Sequence, residues 1–91
     1  MSPGYVAPAL ELLGDMLMDM NQPAQALRAY EDSSKREPKR FRTLAGAARA
    51  AELSGDTAKA KAYYAELMKL AEKSDGGRPE LKRAKDYLAK L

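Results

Sequence analysis

Three acidic side chains near the start of the sequence have a spacing that could support chemistry. Glu11, Asp15 and Asp19 follow one another at intervals of four, which places them on one face of a helix. Carboxylates can act as general acids and bases or bind a metal ion. The sequence contains no histidine and no cysteine, so it lacks the commonest general base and the best nucleophile. It also contains no glycine-rich phosphate loop. We therefore interpret the row as electrostatic lining, and we expect no catalytic, metal or cofactor site and no enzyme activity.

A second charged cluster is basic and surrounds a predicted turn. Its members are Lys35, Arg36, Lys39, Arg40 and Arg42. Such a cluster could contact phosphate, which makes weak binding of nucleic acid or of an anionic surface one alternative function. Phe41 is the only aromatic residue within it, so the stacking platform of single-strand binders is missing. We interpret the cluster as solvated charge and do not favour nucleic acid as a partner.

The composition indicates the class of molecule that must position these groups. The chain has 91 residues, of which 45% are hydrophobic, and a net charge of +3, as expected for one small globular domain. No run of about 18 apolar residues is present, so we expect no membrane-spanning segment. The first residues lack the basic and then apolar stretch of a signal peptide.

The sequence matches itself at an offset of 34 residues. Leu10, Ala24, Ala26, Tyr30 and Lys35 recur as Leu44, Ala58, Ala60, Tyr64 and Lys69. Gly14 corresponds to Ala48, and Asn21 corresponds to Gly55. A repeat of about this length is typical of stacked helical hairpins, each of which leaves an apolar side for a neighbour to cover.

These residues resemble the tetratricopeptide repeat, whose pattern is W-x2-L-G-x2-Y, then A-x3-F, then P. The first unit matches it with Leu10, Leu13, Gly14, Leu17, Ala26, Tyr30 and Pro38. The second unit matches it with Leu44, Ala47, Ala48, Ala51, Ala60 and Tyr64, but has Glu72 in place of the closing proline. The resemblance implies an all-α fold of five helices, in which two hairpins form a right-handed repeat stack that ends in a capping helix. An ordinary antiparallel helical bundle is the alternative.

The boundaries follow from helix-breaking residues and from the repeat. We expect a flexible segment at residues 1–7, a first repeat at 8–38, a second repeat at 39–74 with an extended second helix, and a capping helix at 78–91. Pro23 should open the second helix, and Gly55 followed by Asp56 should separate the helices of the second repeat. We expect Tyr30 and Tyr64 to belong to the core.

The resemblance also implies where a partner would bind. In this family, peptides lie along the concave face formed by the first helix of each repeat. The corresponding positions here are Glu11, Asp15, Met18, Asp19, Arg42, Ala45, Arg49, Glu52 and Lys82. The groove would be acidic at its front and basic further back. It would suit a peptide with a basic part and an acidic part, or a terminal carboxylate near Arg42 and Arg49.

The first helix is apolar on most of its faces. Leu10, Leu13 and Leu17 should pack on the second helix, whereas Leu12, Met16 and Met20 should face the place of a preceding repeat. Three interpretations follow, of which the first two are compatible: the chain is the C-terminal part of a longer array, it forms a homodimer through this helix, or the residues before Pro8 fold back as a lid.

We expect a non-catalytic scaffold that binds a protein or a peptide. A purely structural segment of a longer repeat protein is a further alternative.

Overall fold

A computed structural model describes residues 6–37, 40–71 and 79–90, which form five helices and no strand. The helices are α1 (Val6–Asp19), α2 (Pro23–Arg36), α3 (Phe41–Ser54), α4 (Thr57–Ala71) and α5 (Pro79–Ala89). The expected all-α class with five helices is confirmed. No helix in these described ranges is long and apolar enough to cross a bilayer.

The largest difference from the expected boundaries lies at the start of the chain. The helix α1 begins at Val6, inside the segment that we expected to be flexible, because Pro8 falls in the first turn, where its missing N–H is not needed. Val6 therefore continues the helix, and the rest of the expected lid falls on residues 1–5. Residues 1–5 and the expected extension of α4 over 72–73 lie outside the described residues.

The two turns between successive helices, at Asn21 and at Gly55, share a positive φ angle and a hydrogen-bond pattern. Asn21 and Gly55, which are 34 residues apart, have positive φ angles of 59° and 87°. After Asn21, the N–H of Gln22 donates to Leu17 O at 2.8 Å, and the N–H of Asp56 donates to Ala51 O at 2.9 Å in the equivalent turn. These bonds satisfy carbonyl groups that the helix end leaves unpaired. The correspondence between Asn21 and Gly55 thus holds for the backbone of the two turns as well as for the sequence.

The start of α4 is capped as the sequence predicts. The Asp56 carboxylate accepts the backbone N–H of Lys59 at 3.1 Å, which satisfies one of the free donors of the first turn. The helix α2 begins at Pro23, which suits the first helical position because that residue needs no N–H donor.

Each helix packs on the next one along the chain, and α1 also packs on α3. Ala26, Ala48 and Ala60 have no solvent-exposed surface, so the helices approach one another closely where their side chains are small. Larger side chains at these positions would overpack the core at a cost of about 1–3 kcal/mol.

Two tyrosines connect the layers, as expected. The Tyr30 ring lies between Gly14 of α1 and Gly46 of α3, where a Cβ atom would approach the ring to 2.6 and 2.5 Å, respectively. Tyr64 is buried in the second hairpin and stacks at a tilt on Tyr87 of α5, with ring centroids 4.9 Å apart. Both tyrosines are therefore core residues that connect one helical layer to the next.

Candidate functional site

One concave groove receives side chains from all five helices. It has a cavity volume of about 310 Å³. Its walls and floor comprise Asp15, Met18, Asp19, Tyr30, Arg42, Ala45, Gly46, Arg49, Tyr64, Leu67 and Arg83. Six of the nine groove positions expected from the repeat resemblance lie in this set. Sequence reasoning did not place five residues of this set in the groove, namely Tyr30, Gly46, Tyr64, Leu67 and Arg83. It did identify Tyr30 and Tyr64 as equivalent core residues of the two repeats.

The α1 end of the groove is organised around Asp15. The Tyr30 hydroxyl donates a hydrogen bond of 2.5 Å to Asp15 Oδ1, and Arg42 Nη2 lies 3.3 Å from Asp15 Oδ2. Burial and the neighbouring carboxylate raise the pKa of Tyr30 above its usual value of 10.0. The phenol therefore remains a neutral donor at physiological pH, and it holds the carboxylate in a fixed place at the groove wall.

The α5 end of the groove is basic. The Tyr64 hydroxyl donates a 2.7 Å hydrogen bond to Glu52, and burial followed by this bond raises the pKa of Tyr64. The positive charges of Arg83 and Arg49 act on the same hydroxyl in the opposite direction. Neither guanidinium forms an ion pair with any residue that the structure describes. Both are solvent-exposed, and so they can donate to a ligand in the groove.

A second hollow adjoins this basic end and holds two more of the expected groove residues. Glu52 and Lys82 line it together with Arg83, Asp86, Tyr87 and Lys90. Because Arg83 lines both hollows, the concave surface continues along α5.

Glu11 lies apart from the groove in which we expected it. Its residue surface is only 6% exposed. Arg40 Nη2 donates to Glu11 Oε2 at 2.9 Å, and the Thr43 hydroxyl donates to Glu11 Oε1 at 3.3 Å. These two partners hold the carboxylate between α1 and the start of α3. Glu11 therefore connects the two hairpins and is not available to a peptide.

Ion pairs reduce the availability of the basic cluster around the inter-repeat turn. Arg40 contacts both Glu11 and Glu37 at 2.9 Å, and Lys35 lies 3.9 Å from Asp32. Lys39 lies outside the described residues. Arg40, and Arg42 through its contact with Asp15, thus have carboxylate partners in the protein itself.

The helices α2 and α4 form a polar junction away from the groove, which sequence reasoning did not identify. Glu31 of α2 accepts a hydrogen bond of 2.5 Å from the Tyr63 hydroxyl and lies 3.0 Å from Lys59 Nζ. Burial followed by the Glu31 contact raises the pKa of Tyr63 above 10.0. Because Glu31 already has two partners from α4, this junction connects the hairpins.

The apolar residues that we expected to face a preceding repeat are exposed. Leu12 and Met16 of α1, and Met20 directly after it, expose 60%, 54% and 64% of their surface, respectively. Leu13, which we expected to be covered by α2, is 44% exposed and extends this apolar face, whereas Leu10 and Leu17 are half-buried.

Comparisons with protein-family models, with curated proteins and with solved structures found no match for this chain. We therefore infer a function from the groove and from the exposed faces of the chain.

Proposed function

We propose that this chain is a non-catalytic interaction domain that binds an extended peptide in its concave groove. In this proposal, two tetratricopeptide-like hairpins form a right-handed stack that α5 caps. The matching turns at Asn21 and Gly55 and the packing of α1 on α3 support the repeat arrangement. The exposed polar side chains of α5, which include Lys82, Lys85 and Asp86, suit a terminal cap.

The observation that carries the proposal is the convergence of all five helices on one groove with a mixed lining. Met18 and Ala45, which are both half-buried, provide apolar surface for side chains of a ligand, while the charged groups at the rim can fix its orientation. The groove acid Asp15 serves as a structural partner, because it already binds Tyr30 and Arg42. This arrangement favours recognition over proton transfer.

The charges indicate the class of peptide. Asp15 and Asp19 lie at the α1 end, and Arg49 and Arg83 lie towards the α5 end. A ligand with its positive charges at one end and its negative charges at the other would complement both ends. The groove crosses about two helix spacings, or roughly 20 Å. An extended peptide of about six residues covers that length.

Fluorescence anisotropy with two labelled hexapeptides of equal composition tests this proposal. The first peptide has two lysines, two leucines and two glutamates in that order, and the second alternates its lysines and glutamates around the same leucines. We expect tighter binding of the first peptide and a loss of affinity with added salt, because exposed charges are screened. Equal binding of the two peptides would contradict the proposed charge pattern.

A pair of charge-reversing variants tests whether the peptide binds in the groove. Arg49→Glu changes a groove residue, whereas Lys61→Glu makes the same change of charge on an exposed part of α4 outside the groove. We expect Arg49→Glu to weaken binding of the first peptide by about tenfold or more, and Lys61→Glu to have little effect. If Lys61→Glu weakened binding as much as Arg49→Glu, the peptide would be bound by overall charge, and the groove would not be its site.

A further inference from the structure

The exposed apolar face of α1 is equivalent to a face that is buried in α3. Ala9, Leu13, Met16 and Met20 follow one another at spacings of four, three and four residues and form a seam along α1, with Leu12 beside it. The residues 34 positions later are Thr43, Ala47, Ala50 and Ser54. Thr43, Ala47 and Ala50 are buried, since α3 packs on the first hairpin. Their counterparts Ala9, Leu13 and Met16 are exposed.

The two seams differ in the size of their side chains. On α3, Gly46 leaves room for the Tyr30 ring, and a Cβ atom there would approach that ring to 2.5 Å. On α1, Leu12 occupies the equivalent position, and Leu13 and Met16 replace the small Ala47 and Ala50. A hairpin that presents a tyrosine as α2 does would therefore collide with α1. The face instead suits a partner that packs side by side with large, flexible side chains.

We propose that this face binds the same face of a second copy of the chain, with the two α1 helices antiparallel. A two-fold axis near Met16 would place Leu12 of one copy opposite Met20 of the other, and both exposed seams would be covered at once. The seam has no charged member, so its burial does not require an ion to lose its water.

Head-to-tail stacking of copies is disfavoured by the opposite end of the molecule. The last helix exposes Lys82, Arg83, Lys85 and Asp86, and a stack that placed α1 of the next copy on these groups would bury their charges. Of these two arrangements, the isologous one pairs the apolar face of α1 with another apolar face. The assembly therefore closes at two copies.

The size of the face sets the strength of the dimer. Exposed apolar patches of this kind cover about 300–600 Å². Two such patches would bury about 600–1,200 Å² in total, at the low end of specific interfaces. We therefore expect a weak dimer that forms as the protein concentration rises.

Sedimentation equilibrium over a range of concentrations tests the dimer. We expect the mass of the wild-type chain to rise from 10.0 kDa towards twice that value and to stop there. Met16→Glu should weaken association by about a hundredfold or more, because each copy would bury an unpaired carboxylate. Leu53→Glu is the matched control, since Leu53 is 57% exposed on α3 and lies outside the seam.

Several outcomes would overturn the proposal. A wild-type chain that remains monomeric would show that the face has another occupant or none. A mass that rises beyond two copies would indicate head-to-tail stacking, and equal loss of association in both glutamate variants would place the interface elsewhere.

Cross-linking gives a second test, because the chain has no cysteine of its own. Met16→Cys should form a covalent dimer with a short bismaleimide, and Leu53→Cys should not; equal yields from the two variants would overturn the proposal even if Met16→Glu failed to fold.

Discussion

The close packing of the Tyr30 ring predicts that Gly46→Ala destabilises the chain, although alanine normally favours a helix over glycine. An added methyl group at Gly46 would lie 2.5 Å from Cζ of the ring, well inside van der Waals contact. The ring cannot retreat towards α1, because Gly14 is already so close that its own Cβ would approach Cε1 to 2.6 Å. Relief of the contact therefore requires the ring to swing, and its hydroxyl would then lose the bond to Asp15.

Three energies determine the result. Alanine favours a helix interior over glycine by about 1 kcal/mol, which stabilises the variant. Overpacking costs about 1–3 kcal/mol. Loss of a hydrogen bond to a charged group costs about 1.5–3 kcal/mol. The net effect is a destabilisation of about 1.5–5 kcal/mol, a large fraction of the total stability of a small domain.

Urea denaturation followed by circular dichroism measures this effect, and a double-mutant cycle isolates its cause. In a Tyr30→Leu background the ring is absent, so Gly46→Ala should no longer be destabilising and should show its helix-forming advantage. If Gly46→Ala stabilised both backgrounds equally, the clamped ring would not be the reason for the glycine.

Three further predictions follow from other contacts. The free energy of unfolding should fall as the pH rises above about 10, because the raised pKa of Tyr64 keeps its phenol protonated in the folded chain while the unfolded chain ionises; an ultraviolet phenolate titration that shows all tyrosines ionising before unfolding would contradict this. Gly55→Ala should destabilise by about 1–2 kcal/mol in urea denaturation, because φ is +87° there; an unchanged midpoint would count against the strained turn. Arg40→Met should lower the thermal midpoint more than Lys35→Met, because only the former leaves a buried carboxylate, Glu11, without its cation; equal shifts in a thermal melt would argue against that role.

Local signals in the sequence were sufficient for most of the helix boundaries. The start of α2 at Pro23 is as predicted, since proline suits the first position of a helix. The turn at Gly55 and the cap at Asp56 also depend on neighbouring residues alone. The start of α1 was predicted two residues late, because proline is compatible with any position of the first turn.

The placement of charged groups could not be predicted in the same way. Glu11, Asp15 and Asp19 share a spacing, but Glu11 is buried by partners 29 and 32 residues away in the chain. Whether an acid on a helix faces a groove or a neighbouring helix depends on the crossing of the helices, which no local pattern encodes. The exposure of Leu13 has the same origin, since α2 covers only part of the apolar circumference of α1.

Backbone chemical-shift mapping with the charge-segregated hexapeptide tests the groove most directly. If the groove binds the peptide, shifts should concentrate at Met18, Ala45 and Arg49 and leave Lys59 and Tyr63 on the opposite junction unchanged. Saturable shifts that centred on Lys59 and Tyr63, or no shifts at any peptide concentration, would contradict the proposed function.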